Sequence, residues 1–326
     1  METFPALLKY LLLVIGLIVL IKSADWLVRG AVTVARAFRI SEFVIGITVV
    51  SFGTSLPELI IALFAAFNDS PDLVIGNVVG SNIANVLLVL GTASVIFPLA
   101  ATRATIAREI PFMLMASFVV VGMLNDELLD GVGPSLLGRS DGVARMGFFA
   151  IFIYYTAQSI RAESDREWVG EQRHERMGRA IVEIVVGIAG LAIGGRLAVD
   201  GAVAIAMDWG MSEAFVGLTV VAIGTSLPEL ATSCVAAYRR NADIAVGNVV
   251  GSNIFNIMVV LGITCLARPI AYNPANNPDL AVMLFAALLL YGATLVGRPS
   301  TTIQRGEGVL LILTYGVYMV YLVQRG

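Results

Sequence analysis

The sequence predicts an all-α integral membrane protein, with ten transmembrane helices arranged as two inverted five-helix repeats and broken helices at an ion site. Three observations carry that expectation. Of 326 residues, 58% are apolar and only 14% charged, whereas a soluble domain carries about 25% charged residues. The apolar stretches recur at about the 20 residues that span a hydrocarbon layer roughly 30 Å thick. Finally, the chain repeats itself: displaced by 171 residues, 41–91 aligns with 212–262 at 28 of 51 positions.

In chain order, span 5–28 places Lys9 before the apolar run from Tyr10 to Ile21, as a signal peptide does. Lys22 and Asp25-Trp26 follow where a small-residue cleavage site belongs, so it reads as a helix. Span 40–68 is interrupted at Gly53 to Pro57. Span 72–98 opens on Asp72, suited to a helix N-terminus, and carries Gly76 and Gly80 at a spacing that lets helices pack closely. Spans 107–124 and 144–161 complete a first half, 1–161. The mixed-charge stretch 162–179 reads as a solvated cytoplasmic linker. The second half, 180–326, repeats the order with spans 180–206, 211–238, 243–267, 278–297 and 307–324. Asp243, Gly247 and Gly251 there match Asp72, Gly76 and Gly80. Asp25 and Arg29 return as Arg196 and Asp200 with the charges exchanged, each an i, i+4 ion pair.

Orientation follows from the basic residues. Thirteen Lys and Arg fall in the odd-to-even connections against five on the opposite side, which places both termini outside and the linker in the cytoplasm. Five crossings per half then invert the second copy relative to the first, an architecture common among secondary transporters.

Several function classes drop out. A net charge of -3 without a basic face excludes nucleic acid as a partner. Cys234 and Cys265 sit in apolar runs, which excludes a disulfide framework or a thiolate metal cluster. The single histidine, His174, lies in the linker, so histidine-based catalysis has nothing to use and an enzyme is not expected. No cofactor and no obligatory protein partner is expected either.

What remains is chemistry inside the membrane. Glu58 and Glu229 lie mid-span, at a cost of about 2.5–3.5 kcal/mol each on insertion scales. Neither helix offers a basic neighbour, so a cation or protons must neutralise them. Pro57 and Pro228 remove a backbone donor and free carbonyls near Gly53 and Gly224. Thr54 and Ser55 share the face of Glu58, and Ser81 and Asn85 stand i, i+4 on the next helix. The set is all oxygen and suits hard cations such as Na⁺, Ca²⁺ or Mg²⁺. Asn77, Asn82, Asn248 and Asn253 read as interhelical hydrogen-bonding residues.

The block Gly53-Thr54-Ser55-Leu56-Pro57-Glu58-Leu59 recurs at Gly224 to Leu230, and Gly76-Asn77-Val78-Val79-Gly80-Ser81-Asn82-Ile83 recurs at Gly247 to Ile254. In these paired blocks the chain resembles the cation/calcium exchanger superfamily, specifically its prokaryotic Na⁺/Ca²⁺ exchanger branch. The resemblance implies ten helices in two inverted halves and exchange of Ca²⁺ against Na⁺ across the prokaryotic plasma (inner) membrane. Matched by motif position, Glu58 and Glu229 become shared Ca²⁺ ligands. Thr54, Ser55 and Ser81 with their mates Thr225, Ser226 and Ser252, and the carbonyls of Ser51 and Ala222, complete the Na⁺ and Ca²⁺ sites. One departure stands out: family members often carry Asp at one of the positions held here by Asn85 and Asn256. Two carboxylates balance one Ca²⁺, while the Na⁺ stoichiometry and any dependence on K⁺ stay open. H⁺/Ca²⁺ exchange is the alternative, and a cation channel the more distant one.

Overall fold

A computed structural model describes residues 6–100, 105–131, 135–164, 177–211, 222–296 and 301–325. Helices dominate it. They are α1 (Ala6–Phe38), α2 (Glu42–Thr54 and Leu56–Phe67), α3 (Pro71–Ile96), α4 (Ile110–Met123, entered through a π-helical turn Thr105–Glu109) and α5 (Arg139–Ser164). There follow α6 (Met177–Asp208), α7 (Ala222–Thr225 and Leu227–Tyr238), α8 (Ala242–Ala267), α9 (Asn277–Val296) and α10 (Arg305–Arg325). Among the described residues, six helices (α1, α3, α6, α8, α9 and α10) are long and apolar enough to cross a bilayer. The two segments of α2, bent by 42° at Ser55, make a seventh when taken together. This is a membrane protein. The other expected spans fall short of that length and apolarity for local reasons. The regular part of α4 has only 14 residues, α5 carries Arg139, Asp141 and Arg145 in its opening turns, and 212–221 lies outside the described residues.

Small residues set the central pairing. α1 and α6 pack along their length because glycines bring the backbones together. A Cβ on Gly16 would meet the Gly194 carbonyl at 2.9 Å, and one on Gly187 the Ser23 carbonyl at 3.0 Å. Likewise Gly30 faces the Ala180 carbonyl at 2.7 Å and Gly201 the Lys9 carbonyl at 2.8 Å. Each contact and its reciprocal are related by 171 residues, so the sequence repeat is also a two-fold relation in space. The connections obey it too. β1 (Leu99–Ala100) pairs antiparallel with β4 (Thr302–Ile303), and β2 (Leu136–Leu137) with β3 (Ile270–Ala271). At the ends of α2 and α7, Asp69 and Arg240 both take left-handed conformations, at φ 55° and 62°.

α3 and α8 form the centre, with α8 buried along nearly its whole length. Each is interrupted at the matching place by a π-helical turn, Asn85–Leu90 and Asn256–Val260, a distortion that often marks functional sites. Outward faces of α1 and α6 present Val14, Ile18, Ile21, Val182, Val185 and Ile193, the apolar surface that lipid requires.

The glycine spacing expected to serve packing does so in the second half. A Cβ on Gly247 would lie 2.8 Å from the Phe43 carbonyl, and one on Gly251 2.7 Å from the Ile47 carbonyl. Gly76 and Gly80 meet nothing within 4 Å among the described residues; positions 214 and 218, which match Phe43 and Ile47, lie outside them.

Candidate functional site

The break in α2 falls at Ser55 (φ -90°, ψ 6°) and that in α7 at Ser226 (φ -90°, ψ 7°). Pro57 and Pro228 then sit in the first turn of the following segment, where a missing N–H costs no helical bond. Glu58 and Glu229 share that turn, so each carboxylate stands at a helix N-terminus, which favours negative charge. Both glutamates are wholly buried.

The two halves interlock at these residues. The Ser55 hydroxyl, from α2, donates to Glu229 Oε1 of α7 at 3.1 Å. Ser81 of α3 donates to Glu58 Oε1 at 3.5 Å, the long edge of a hydrogen bond. The Thr54 hydroxyl lies 3.1 Å from Asn248 Oδ1 and 3.4 Å from Ser252 Oγ, both on α8. Asn77 donates to the Glu58 carbonyl at 3.2 Å, and its mate Asn248 to the Glu229 carbonyl at 3.4 Å and to Ser233 Oγ at 2.9 Å. Asn85 joins α3 to α8 by donating to Asn253 Oδ1 at 3.2 Å. Asn82 and Asn253 reach the Met283 and Met113 sulfurs. The four asparagines read as interhelical hydrogen-bonding residues are engaged in that way.

Several oxygens are left over. Glu58 Oε2, Glu229 Oε2, Asn85 Oδ1, Asn256 Oδ1 and Ser226 Oγ are buried with no hydrogen-bond partner among the described residues. A buried polar atom without a partner costs a few kcal/mol, and these five oxygens all belong to residues of the two repeated blocks or their flanking asparagines. No group of three His, Cys, Asp or Glu exists among the described residues, so hydroxyl, amide and carbonyl oxygens must complete any coordination, as hard cations accept.

Two members of the expected ligand set stand differently. The Ser51 carbonyl accepts the Ser55 N–H at 3.0 Å and lies 3.3 Å from Thr54 Oγ1, while the Ser51 hydroxyl donates to the Ile47 carbonyl at 2.7 Å. Its carbonyl is therefore held within the helix in this conformation. Ala222 opens the first segment of α7, and the Ser226 N–H bonds the Ile223 carbonyl rather than that of Ala222. Thr225 ends that segment and, with Ser81, lines a cavity of about 540 Å³ that extends to Asp72 and Asp279.

The sequence reading missed Thr232 and Ser233, both fully buried on the Glu229 face of α7. Their counterparts Ile61 and Ala62 carry no polar atom, so the repeat gave no signal for them. It also counted Arg145 among the five basic residues on the extracytoplasmic side, whereas the structure buries Arg145, which donates to the Ile257 carbonyl inside the π turn of α8 at 3.2 Å.

The motif-bearing helices match a known group over almost the whole chain. The family model described as "Sodium/calcium exchanger protein" aligns with residues 8–158 and 179–324. The chain belongs to the sodium/calcium exchanger family. Two relatives illustrate its range. "Inner membrane protein YrbG" of Escherichia coli is 37% identical, with 97% of each chain covered. "Sodium/calcium exchanger MaX1" of Methanosarcina acetivorans is 31% identical over 96% of this chain and 98% of its own. A solved structure of the sodium-calcium exchanger NCX_Mj, soaked with Na⁺ and Sr²⁺, superimposes with a TM-score of 0.79 at 32% identity, covering 97% of this chain and 99% of that one. This exchanger-family chain is accordingly a transporter of the antiporter type, in which ions are the substrates and no cofactor is implied.

Proposed function

We propose that the chain is a Na⁺-driven Ca²⁺ antiporter working by alternating access, in which both ions compete for Glu58 and Glu229. One observation carries the reading: two wholly buried carboxylates from opposite halves, each with an unpartnered oxygen among the described residues, with Ser55 of the first half bonded to Glu229 of the second. Among the described residues neither glutamate has an ion pair. One Ca²⁺ would neutralise the pair, and Na⁺ ions would do so with the hydroxyls of Thr54, Ser55, Ser81, Thr225, Ser226 and Ser252 and the amides of Asn85 and Asn256. Because the same charges must be neutralised before the site can cross occluded, binding of one ion excludes the other and exchange follows.

The architecture assigned to this reading is ten crossings in two inverted halves, 1–161 and 180–326, joined by the linker 162–179. The reciprocal glycine contacts and matched strand pairs support it. With the charge rule, both termini lie on the extracytoplasmic side, and the cavity bounded by Asp72 and Asp279 opens there. The test is ⁴⁵Ca²⁺ uptake into proteoliposomes loaded with Na⁺, against vesicles loaded with K⁺ and vesicles holding a pH gradient. Uptake that needs internal Na⁺ and ignores pH supports the proposal. Uptake driven by the pH gradient alone would replace Na⁺ with H⁺ as the coupling ion, and non-saturating flux would indicate a channel.

A further inference from the structure

A second polar cleft lies at one end of the α1–α6 pair, about 520 Å³ in volume. Arg29 and Arg36 of α1, Arg179 of α6 and Arg239 from the end of α7 line it, with Glu183 as its one carboxylate and Val32 and Ala180 as apolar walls. Arg29, Val32 and Arg36 fall at i, i+3 and i+7, one face of a helix. Arg29 is nine residues from the end of α1, about 14 Å at the helical rise, so the cleft spans the depth at which lipid headgroups meet acyl chains.

Among the described residues, the acids paired with these cations do not saturate them. Arg179 pairs with Glu183 at 3.1 Å and Arg36 with Glu42 at 3.4 Å, while Arg29 and Arg239 share the single carboxylate of Asp25. Among the described residues four guanidiniums thus pair with three carboxylates, and Arg36 and Arg179 keep 63% and 76% of their side-chain surface exposed. Packing alone does not require this chemistry. The two-fold mates of Arg29, Arg36, Arg179 and Arg239 are Asp200, Met207, Leu8 and Asn68. The opposite corner has the same backbone arrangement, and its nearby Lys9 is tied to Asp208.

We propose that this cleft binds the phosphate of an anionic phospholipid headgroup, bridging α1, α6 and the α7–α8 turn. Guanidiniums suit a phosphodiester because they present paired donors, and basic pockets between membrane helices on the cytoplasmic side take such headgroups. The apolar walls favour a lipid over free phosphate. The inference extends the antiporter reading without depending on it, since binding can be measured whichever ions are carried.

The test is native mass spectrometry of the full chain released from nanodiscs of phosphatidylcholine alone or mixed with phosphatidylglycerol, with and without millimolar inorganic phosphate. The wild type should retain phosphatidylglycerol in preference to phosphatidylcholine, and phosphate should not displace it. The rim double variant R36Q/R179Q should lose that retention by roughly tenfold or more, while R305Q, an equal type of charge loss outside the cleft, should retain it. Equal retention by the double variant and the wild type would overturn the proposal, as would no preference for the anionic lipid, or displacement by phosphate.

Discussion

Replacing Glu229 by Gln keeps the shape of the side chain and removes one of the two charges on which the exchanger reading rests. The carboxylate is wholly buried; its Oε1 accepts from the Ser55 hydroxyl at 3.1 Å and its Oε2 has no hydrogen-bond partner among the described residues. Counting a single unit of the ion's charge against the lost carboxylate, at about 4 Å and an effective dielectric near 20, gives about 4 kcal/mol. That is roughly a thousandfold in the Ca²⁺ dissociation constant. Without ion the sign reverses, because E229Q relieves repulsion between two buried acids. The ion-free variant should therefore unfold at a higher temperature than ion-free wild type, yet gain almost nothing from added Ca²⁺. Thermal unfolding in detergent with and without Ca²⁺, beside ⁴⁵Ca²⁺ uptake in proteoliposomes, measures both effects. Refutation would be Ca²⁺ stabilisation equal to wild type, or uptake within tenfold of it, since either means the second carboxylate does not hold the ion.

Other substitutions test the surroundings of that pair. Ser55→Ala removes the hydrogen bond to Glu229 Oε1 and should lower ion-free stability by about 1–3 kcal/mol, whereas Ser226→Ala removes a hydroxyl without a partner among the described residues and should weaken ion binding with little effect on the ion-free melting temperature. Asn256→Asp adds a third carboxylate at a side chain whose two amide atoms are unpartnered among the described residues; more charge should move per Ca²⁺ carried, read as current in proteoliposomes on a supported membrane. Gly251→Ala places a Cβ 2.7 Å from the Ile47 carbonyl and should cost about 1–3 kcal/mol by overpacking, seen as a lower melting temperature. Gly292→Ala, with nothing within 4 Å among the described residues, should stabilise slightly through helix propensity.

The site was legible because its residues had to be polar where everything else is apolar. Glu58, Glu229 and their Thr-Ser-Pro context stand out in sequence for the reason they matter in structure: hydrocarbon tolerates such groups only when they are used. Repetition at 171 residues supplied the second half of the candidate ligand set. Contacts without a repeat stayed hidden. Asn253 meets Met113 on α4, and Arg145 meets the Ile257 carbonyl from α5; both depend on which neighbour the packed bundle brings alongside, which periodicity does not encode. The π turns at Asn85 and Asn256 were likewise invisible, since α3 and α8 are apolar on nearly every face and the rotation that an extra residue brings has no amphipathic pattern to shift.

The two-fold relation also says what a single conformation cannot satisfy. Ser55 donates to Glu229, but its mate Ser226 has no partner among the described residues and does not donate to Glu58, which takes Ser81 instead. Equivalent residues in equivalent backbones thus make inequivalent bonds. A second arrangement, in which Ser226 bonds Glu58 and Ser55 is released, would have nearly the same bonds with the halves interchanged. On the antiporter reading proposed above, these two arrangements would correspond to the inward-facing and outward-facing states. A bound ion would shift the balance between them through the oxygens that each arrangement leaves free. On that argument S55A and S226A should shift the access equilibrium in opposite directions. Accessibility of single cysteines placed at either mouth would register the shift, and parallel shifts would mean the serines only pack.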